Sequence, residues 1–370
     1  MLKTQFRLPA GPYFLSHSVG RPLRSMEQHF HEHFFAPWQQ GQSEPWQQWL
    51  GAVQDFTTAL ARLFNSEARL FCPQVNLSSA LSKLVVAHPR LRKPKCKVLM
   101  SEQDFPSMGF ALQKSLAQDS EIVFIPAAED VSDIQVWQRY LQGDMDLVFI
   151  SQVYSNSGRQ APVAEIVAAA KELGVLSLVD VAQGAGVIPL DLARVQPDFL
   201  IGSSVKWLCG GPGAAYLWLS DEQLPDCEPK DVGWFSHANP FEFDIHHFAY
   251  HDSALRFWGG TPSVAPYVIA AHSINWFNDF GIDKVRAHNL KLQGQLLEEC
   301  ALLAASPLDA RQCSGTLILH AGDRQEQMMQ ELKQHNISVD ARHLGARVSF
   351  HIYNDEQDVA QLVSALKRFI

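Results

Sequence analysis

Between Lys97 and Leu219 the chain alternates short, almost wholly apolar runs with amphipathic stretches: KVLM from Lys97, IVFI from Ile122, LVFI from Leu147, LSLVD ending at Asp180, FLIGS from Phe199 and AYLWL from Ala215. Apolar runs this short, without polar alternation, suit strands buried on both faces, and intervening segments such as Pro162 to Leu173 carry the helical period. That order predicts an α/β core on a parallel sheet covered by helices on both sides. Ahead of it, Arg21 to Phe64 is mostly helical in pattern, and Asn76 to His88 reads as a helix capped by Asn76 or Ser78. Behind it, Ser263 to Phe280 and Ile282 to Ala304 read as two long helices. TLILH, ISV, RVSFHIY and a terminal helix from Asp355 follow, as in a smaller α+β unit. The run GGTPSVAP, Gly259 to Pro266, breaks the periodicity, so we expect an N-terminal segment 1–20, a large domain 21–260 and a small domain 261–370.

Composition removes several alternatives. Of 370 residues 46% are apolar and 19% charged, enough for a core and too little charge for disorder. A net charge of -9 leaves no basic surplus for phosphate backbones, so nucleic acid is not an expected partner. Six cysteines, Cys72, Cys96, Cys209, Cys227, Cys300 and Cys313, lie far apart without a CxxC pair, as reduced thiols do. No apolar run reaches signal or membrane-spanning length, and a soluble, cytoplasmic protein without a membrane partner is expected.

Ligands of open α/β sheets bind outside the carboxyl ends of the strands, and polar residues cluster there in this chain. LSLVD ends on Asp180 and continues VAQGAG; FLIGS ends on Ser203 and continues SVKWLCGGPG. Asp180, Gln183, Ser203 and Lys206 should therefore face one crevice. Singly, each is explained as a cap or a solvated side chain. Together they suit one chemistry. Lys206 lies between Val205 and Trp207, an apolar setting that lowers an amine's pKa and readies it to attack an aldehyde. Asp180 on the neighbouring strand end supplies the anion that a pyridinium nitrogen requires.

The stretch VDVAQGAGVIPLDLARVQPDFLIGSSVKWLCGGPG resembles the core of the pyridoxal-phosphate enzymes of aminotransferase class V, and within them the kynureninase branch. The resemblance implies the aspartate-aminotransferase-like architecture of fold type I, with a large mostly parallel-sheet domain and a smaller α+β domain. It implies pyridoxal 5'-phosphate as cofactor, Lys206 as the Schiff-base lysine, Asp180 at the ring nitrogen and Gln183 at the phenolic oxygen. SEQDFPSMGF resembles the segment whose Phe stacks on the ring, which points to Phe105. NLSSALSKL resembles the phosphate-binding helix start, which points to the backbone N–H groups of Leu77 and Ser78 and the Ser78 hydroxyl. Ser203 is assigned to the cofactor site as well. VGWFSH and FWGGTP resemble segments that reach the phosphate of a neighbouring subunit, pointing to Trp234, Thr261 and a homodimer. VDARHLGARVSFHIYN resembles the paired C-terminal arginines: Arg347 first and Arg342 second for an amino-acid substrate's carboxylate. LSHSVG resembles the opening segment that places His17 and Ser18 at the substrate pocket.

The chain also departs from kynureninases. Gln183 stands where they usually have His, Val205 where they have Tyr, and Gly260 where an Asn helps read the aromatic substrate. Cysteine desulfurases need a reactive Cys near the C-terminal arginines, and DARHLGARVS has none. Transamination, side-chain hydrolysis and β-elimination therefore stay open.

Other constellations in the chain fit their motifs less well. Ser203 with Lys206 satisfies SxxK, and Tyr154-Ser155-Asn156 resembles the second box of serine acyl-transferring enzymes, but the order is reversed and no KTG occurs. His29, His31 and His33, and separately His246, His247 and His251, lack the HExxH of a zinc helix, so no metal is expected. GGPG at Gly210 lacks a P-loop ending. A non-catalytic protein on the same fold is the remaining alternative; the intact lysine, aspartate and arginines favour an enzyme.

Overall fold

The computed structural model describes residues 2–41 and 43–370. A seven-stranded sheet is ordered β1-β7-β6-β5-β4-β2-β3, from β1 (Phe71–Gln74), β2 (Lys97–Ser101), β3 (Glu121–Ile125), β4 (Leu147–Ser151), β5 (Leu176–Asp180), β6 (Phe199–Ser203) and β7 (Ala215–Leu219). All six apolar runs from Lys97 onward form strands. Every residue of β4, β5 and β7 is buried, which explains their lack of alternation.

The expectation of a parallel sheet needs one correction. β6, β5, β4, β2 and β3 run parallel, but β7 pairs antiparallel with β6, and β1 antiparallel with β7. The sequence reading had no β1, because FCPQ is four residues long and contains Pro73, a residue tolerated at a sheet edge and nowhere central.

A second sheet, ordered β8-β10-β9, comprises β8 (Thr316–Leu319), β9 (Asp340–Arg342) and β10 (Gly345–Ser349), all antiparallel. The ISV run forms no strand of its own; Ser338 makes only an isolated bridge to Tyr13. The Trp46–Phe64 helix buries Val53, Phe56, Leu60 and Phe64 and packs along the Ala265–Phe280 helix. Apolar residues from Val264 to Val285 belong to the core of the large sheet, whereas Leu292, Leu296 and Cys300 join the core of the small one. The change of core thus falls inside the Ile282–Cys300 helix, later than the Gly259–Pro266 break.

The N-terminal segment ties the two bodies together. Phe6 is buried in the first core and Phe14 in the second, and residues 12–14 bond the backbone of Ser338 and Ser349. The segment then reaches the Lys206 loop, where Gly20 N–H donates to the Val205 carbonyl at 2.9 Å. A side-chain carbon on Gly20 would lie 2.0 Å from the Lys206 carbonyl oxygen, so only glycine allows this approach.

Candidate active site

At the carboxyl ends of β4, β5 and β6 lies a cavity of about 210 Å³ lined by Leu77, Ser78, Phe105, Ser107, Met108, Ser151, Val153, Ser155, Asp180, Ala182, Gln183, Ser203, Val205 and Lys206. A larger hollow of about 380 Å³ opens at the other end of the sheet, around Leu176, Ser177 and Asp198. Strand polarity favours the smaller one as the ligand site, because open α/β sheets bind ligands in the crevice outside the carboxyl ends of their strands.

Lys206 projects from the loop after β6. Besides the Gly20 bond to Val205, that loop is held from within: Ser204 N–H and Oγ–H both donate to the Ala214 carbonyl, at 3.0 and 2.9 Å, Gly210 N–H donates to Ser204 O at 2.8 Å, and Cys209 N–H donates to Lys206 O at 3.1 Å. Trp207 is buried beside it and stacks on His351, 5.5 Å between ring centres. The Lys206 ammonium makes no hydrogen bond or ion pair with any described residue. Burial lowers its pKa to about 8; Asp180 opposes this shift, and Arg347 and Arg342 reinforce it. A lysine with a lowered pKa becomes a free amine at lower pH, so half the population is nucleophilic near pH 8 rather than 10.5. The rate at which cofactor-free protein takes up pyridoxal phosphate should therefore rise through pH 8 and level off about one unit higher. Stopped-flow absorbance checks this; a rate still climbing at pH 10 would assign the reaction to ordinary surface lysines.

Asp180 ends β5 opposite Ser151 of β4. It is 8% exposed, its Oδ1 accepts the Ala182 N–H at 2.8 Å, and burial raises its pKa while the Lys206 charge lowers it. Gln183 is buried and donates Nε2–H to the His17 carbonyl at 3.1 Å, which leaves its second amide N–H available. Ser203 Oγ accepts the Val205 N–H at 3.4 Å.

The helix Leu77–Ala87 opens onto the same cavity. Its cap is Asn76, whose Oδ1 accepts the Ser79 N–H at 2.8 Å. The N–H groups of Leu77 and Ser78 have no partner among the described residues, so two donors at the positive end of a helix dipole meet the cavity. Phe105 caps the Pro106–Ser115 helix and is 45% exposed on the cavity side. The turn that presents it is held by buried Asp104, whose Oδ2 accepts the Ser101 N–H at 2.8 Å; burial pushes this acid up to about 7.

The C-terminal arginines approach through Ser155. Arg342 Nη1 donates to Ser155 Oγ at 2.9 Å and Asn156 Oδ1 at 2.7 Å, and the guanidinium carbon lies 5.7 Å from the centre of the Phe105 ring. Arg347 Nη1 donates to the Ser155 carbonyl at 3.3 Å; its other nitrogens are taken by Asp340.

Seven sequence-predicted residues thus line one cavity, and others lie elsewhere. His17 stands behind the site, its ring contacting Ser349 Oγ through Nδ1 and Asp340 through Nε2, and burial lowers its pKa to about 4. It does not line the cavity as expected, because both ring nitrogens are engaged. Ser18 is exposed and also outside the lining. Trp234 and Thr261 lie outside it too, joined by an indole-to-hydroxyl bond of 3.3 Å. Sequence reasoning missed Asp340 as the partner of Arg347. Ser155 and Asn156, which entered the sequence reading only through the disfavoured acyl-transfer resemblance, form the seat of Arg342. Among the described residues no group of three or more His, Cys, Asp or Glu side chains is arranged so that it could hold a metal ion.

A family model described as aminotransferase class-V matches residues 23–362. The chain belongs to this family. Among curated relatives of this class V chain, the kynureninase of Deinococcus radiodurans is 27% identical over 321 residues, 84% of this chain and 75% of that protein. The kynureninase of Burkholderia mallei is 26% identical over 79% of this chain and 71% of its own length. Two solved structures share the fold. A C-DES variant with glycine covalently linked to the PLP cofactor has a TM-score of 0.88 and is 19% identical, over 98% of both chains. The cysteine desulfurase of Thermococcus onnurineus has a TM-score of 0.85 and is 19% identical, over 97% of this chain and 94% of the other. The resemblance to class V pyridoxal-phosphate enzymes read from VDVAQGAG and SSVKWLCGGPG is borne out, as is the fold-type-I architecture. No helix among the described residues is long and apolar enough to cross a membrane.

Proposed function

We propose that this chain is a pyridoxal 5'-phosphate enzyme that acts on a free amino acid through Lys206. The residues fit that cofactor by their chemistry: a cation with no partner, a buried carboxylate on the adjacent strand end, and two unpartnered N–H donors at a helix start, all facing one cavity. This convergence carries the proposal. When bound, the cofactor supplies an electron sink for charge developing at the substrate's Cα.

The chain's own groups have separable tasks. Leu77 and Ser78 hold the phosphate with backbone donors and the Ser78 hydroxyl. Phe105 would provide a platform for the ring, and the free N–H of Gln183 would be available to its oxygen. Asp180, as a carboxylate, would hold a proton at the ring nitrogen. Lys206 would hold the cofactor through its amine and, when that amine is free, would move the substrate's Cα proton as a tethered base. Arg342 and Arg347 orient the substrate's carboxylate with a fork that lysine cannot copy.

All six cysteines are buried and none lines the cavity, so sulfur transfer to a protein thiol has no support here. The proposed reaction is transamination, hydrolysis of a side-chain carbonyl or loss of a β-substituent. A panel of amino acids including kynurenine and alanine, followed for spectral shifts and for keto-acid and aromatic-amine products, tells the three apart. Absence of any spectral response to every amino acid would count against the proposal.

The active unit is proposed to be a homodimer. Trp234 and Thr261 adjoin an exposed apolar arm that includes Phe241, Phe243, Ile245 and Phe248, with Ile245 93% exposed. Such a surface favours a second copy over water. If Trp234 serves the partner's cofactor, co-refolded mixtures of Lys206→Ala and Trp234→Ala chains should recover roughly a quarter of the wild-type rate, since half the dimers hold one complete site. No recovery, or a monomer by sedimentation, would remove Trp234 from the site.

A further inference from the structure

Arg347 and Asp340 face each other directly across the register of β10 and β9. Arg347 Nε donates to Asp340 Oδ1 at 2.8 Å and Nη2 donates to Oδ2, a two-pronged, charge-assisted pair. With Nη1 bonded to the Ser155 carbonyl, each nitrogen of the guanidinium has a partner. The geometry is the one by which arginine receives a carboxylate, and the chain provides that carboxylate from its own neighbouring strand.

The two partners are held unequally. Arg347 is 4% exposed and sits on the central strand of the small sheet, whereas the Asp340 side chain is 37% exposed and sits on the three-residue edge strand. Moving Arg347 would leave a buried cation unpaired; moving Asp340 returns a carboxylate to water. Asp340 also retains a second contact after leaving Arg347, since His17 Nε2 lies 2.9 Å from its Oδ1. Arg342, by contrast, bonds only the neutral oxygens of Ser155 and Asn156 and forms no ion pair among the described residues.

We propose that Asp340 is a resident competitor for the substrate's carboxylate: it occupies the guanidinium fork of Arg347, an incoming acid must take that fork over, and Asp340 thereby sets which acids bind. Arg342 provides the first, open attraction and Arg347 the second, contested one. A carboxylate already fixed opposite the arginine competes with the advantage of an intramolecular partner. Acids that offer a carboxylate and little else are disfavoured, and substrates with a further binding group are selected. The proposal rests on the reading of Arg347 as a carboxylate-binding group of the Lys206 site.

Propionate is a suitable probe, since it has the carboxylate without an amino group. Its binding to the full chain is measured by calorimetry on cofactor-free and cofactor-loaded protein. In Asp340→Asn the propionate dissociation constant should fall by about tenfold or more, and adding Arg347→Gln should abolish that gain. Asp340→Ser is the companion variant, because it cannot hold the guanidinium by an amide oxygen; thermal melting verifies that each variant is folded. Unchanged or weaker propionate binding in folded Asp340→Asn and Asp340→Ser would overturn the proposal and make Asp340 a residue that positions Arg347. A gain that survives Arg347→Gln would overturn it too, since the acid would then bind elsewhere. A protein that binds propionate as stated while never acquiring a cofactor absorbance band would sink the pyridoxal-phosphate reading and leave the Asp340 proposal standing.

Discussion

Lys206→Ala should remove the lysine-dependent absorbance band of cofactor-supplemented protein and lower turnover by at least about 10³-fold, the order expected when one group serves as both nucleophile and base. Lys206 is the sole cationic side chain among the described residues lining the cavity, so no neighbour can take over either task. The donors of Leu77 and Ser78 and the carboxylate of Asp180 are untouched by the substitution, and cofactor should still bind, non-covalently and more weakly. Small primary amines added to the variant should restore part of the turnover, because a diffusing base replaces the tethered one. The measurements are the absorbance spectrum, cofactor retention on gel filtration and turnover with and without added amine. A band unchanged in Lys206→Ala would falsify the assignment.

Asp180→Asn separates electronics from architecture. The amide can still accept the Ala182 N–H through Oδ1, so the turn after β5 keeps its bond. The variant loses a buried negative charge whose ionisation burial already disfavours, and its melting temperature should stay level or rise. Turnover should fall by about 10²–10³-fold, roughly 3–4 kcal/mol, the cost typical of removing one preorganised electrostatic group. The pairing of undiminished stability with lost rate is the signature sought. Equal rates in variant and wild type would show that Asp180 plays no electronic part, and a large drop in melting temperature would make its role structural.

Much of this architecture was readable in the chain. Asp180 and Lys206 follow apolar runs that end abruptly, and because a run buried on both faces identifies its strand and its carboxyl end, both residues could be placed at one rim before any contact was known. The helix start was readable for the same local reason, with Asn76 and Ser78 as candidate caps: a short polar side chain before an amphipathic run can accept one of the free N–H groups of the first turn, and Asn76 takes that of Ser79. β1 was not readable, since FCPQ acquires its identity from β7, the strand it borders. Nor was the change of core inside the Ile282–Cys300 helix: buried Asn289 and Gln293 interrupt its apolar face there, but the backbone carbonyls they serve, those of Gly315, Phe350 and Ser314, lie on distant segments.

The arginines mark the boundary between the two kinds of information. The motif around Arg342 and Arg347 suggested carboxylate binding, but nothing local revealed that Arg347 already holds Asp340 while Arg342 rests on Ser155 and Asn156. Those partners lie on different segments, and a shift of one residue in the pairing of β9 with β10 would turn Asp340 to the opposite face of the sheet. Periodicity and strand ends follow from whether each short stretch can be buried, a property written in adjacent residues. The partners of the arginines follow from the register of one strand on the next and, for Ser155 and Asn156, from contact between segments far apart in the chain, which exist only once the chain has packed.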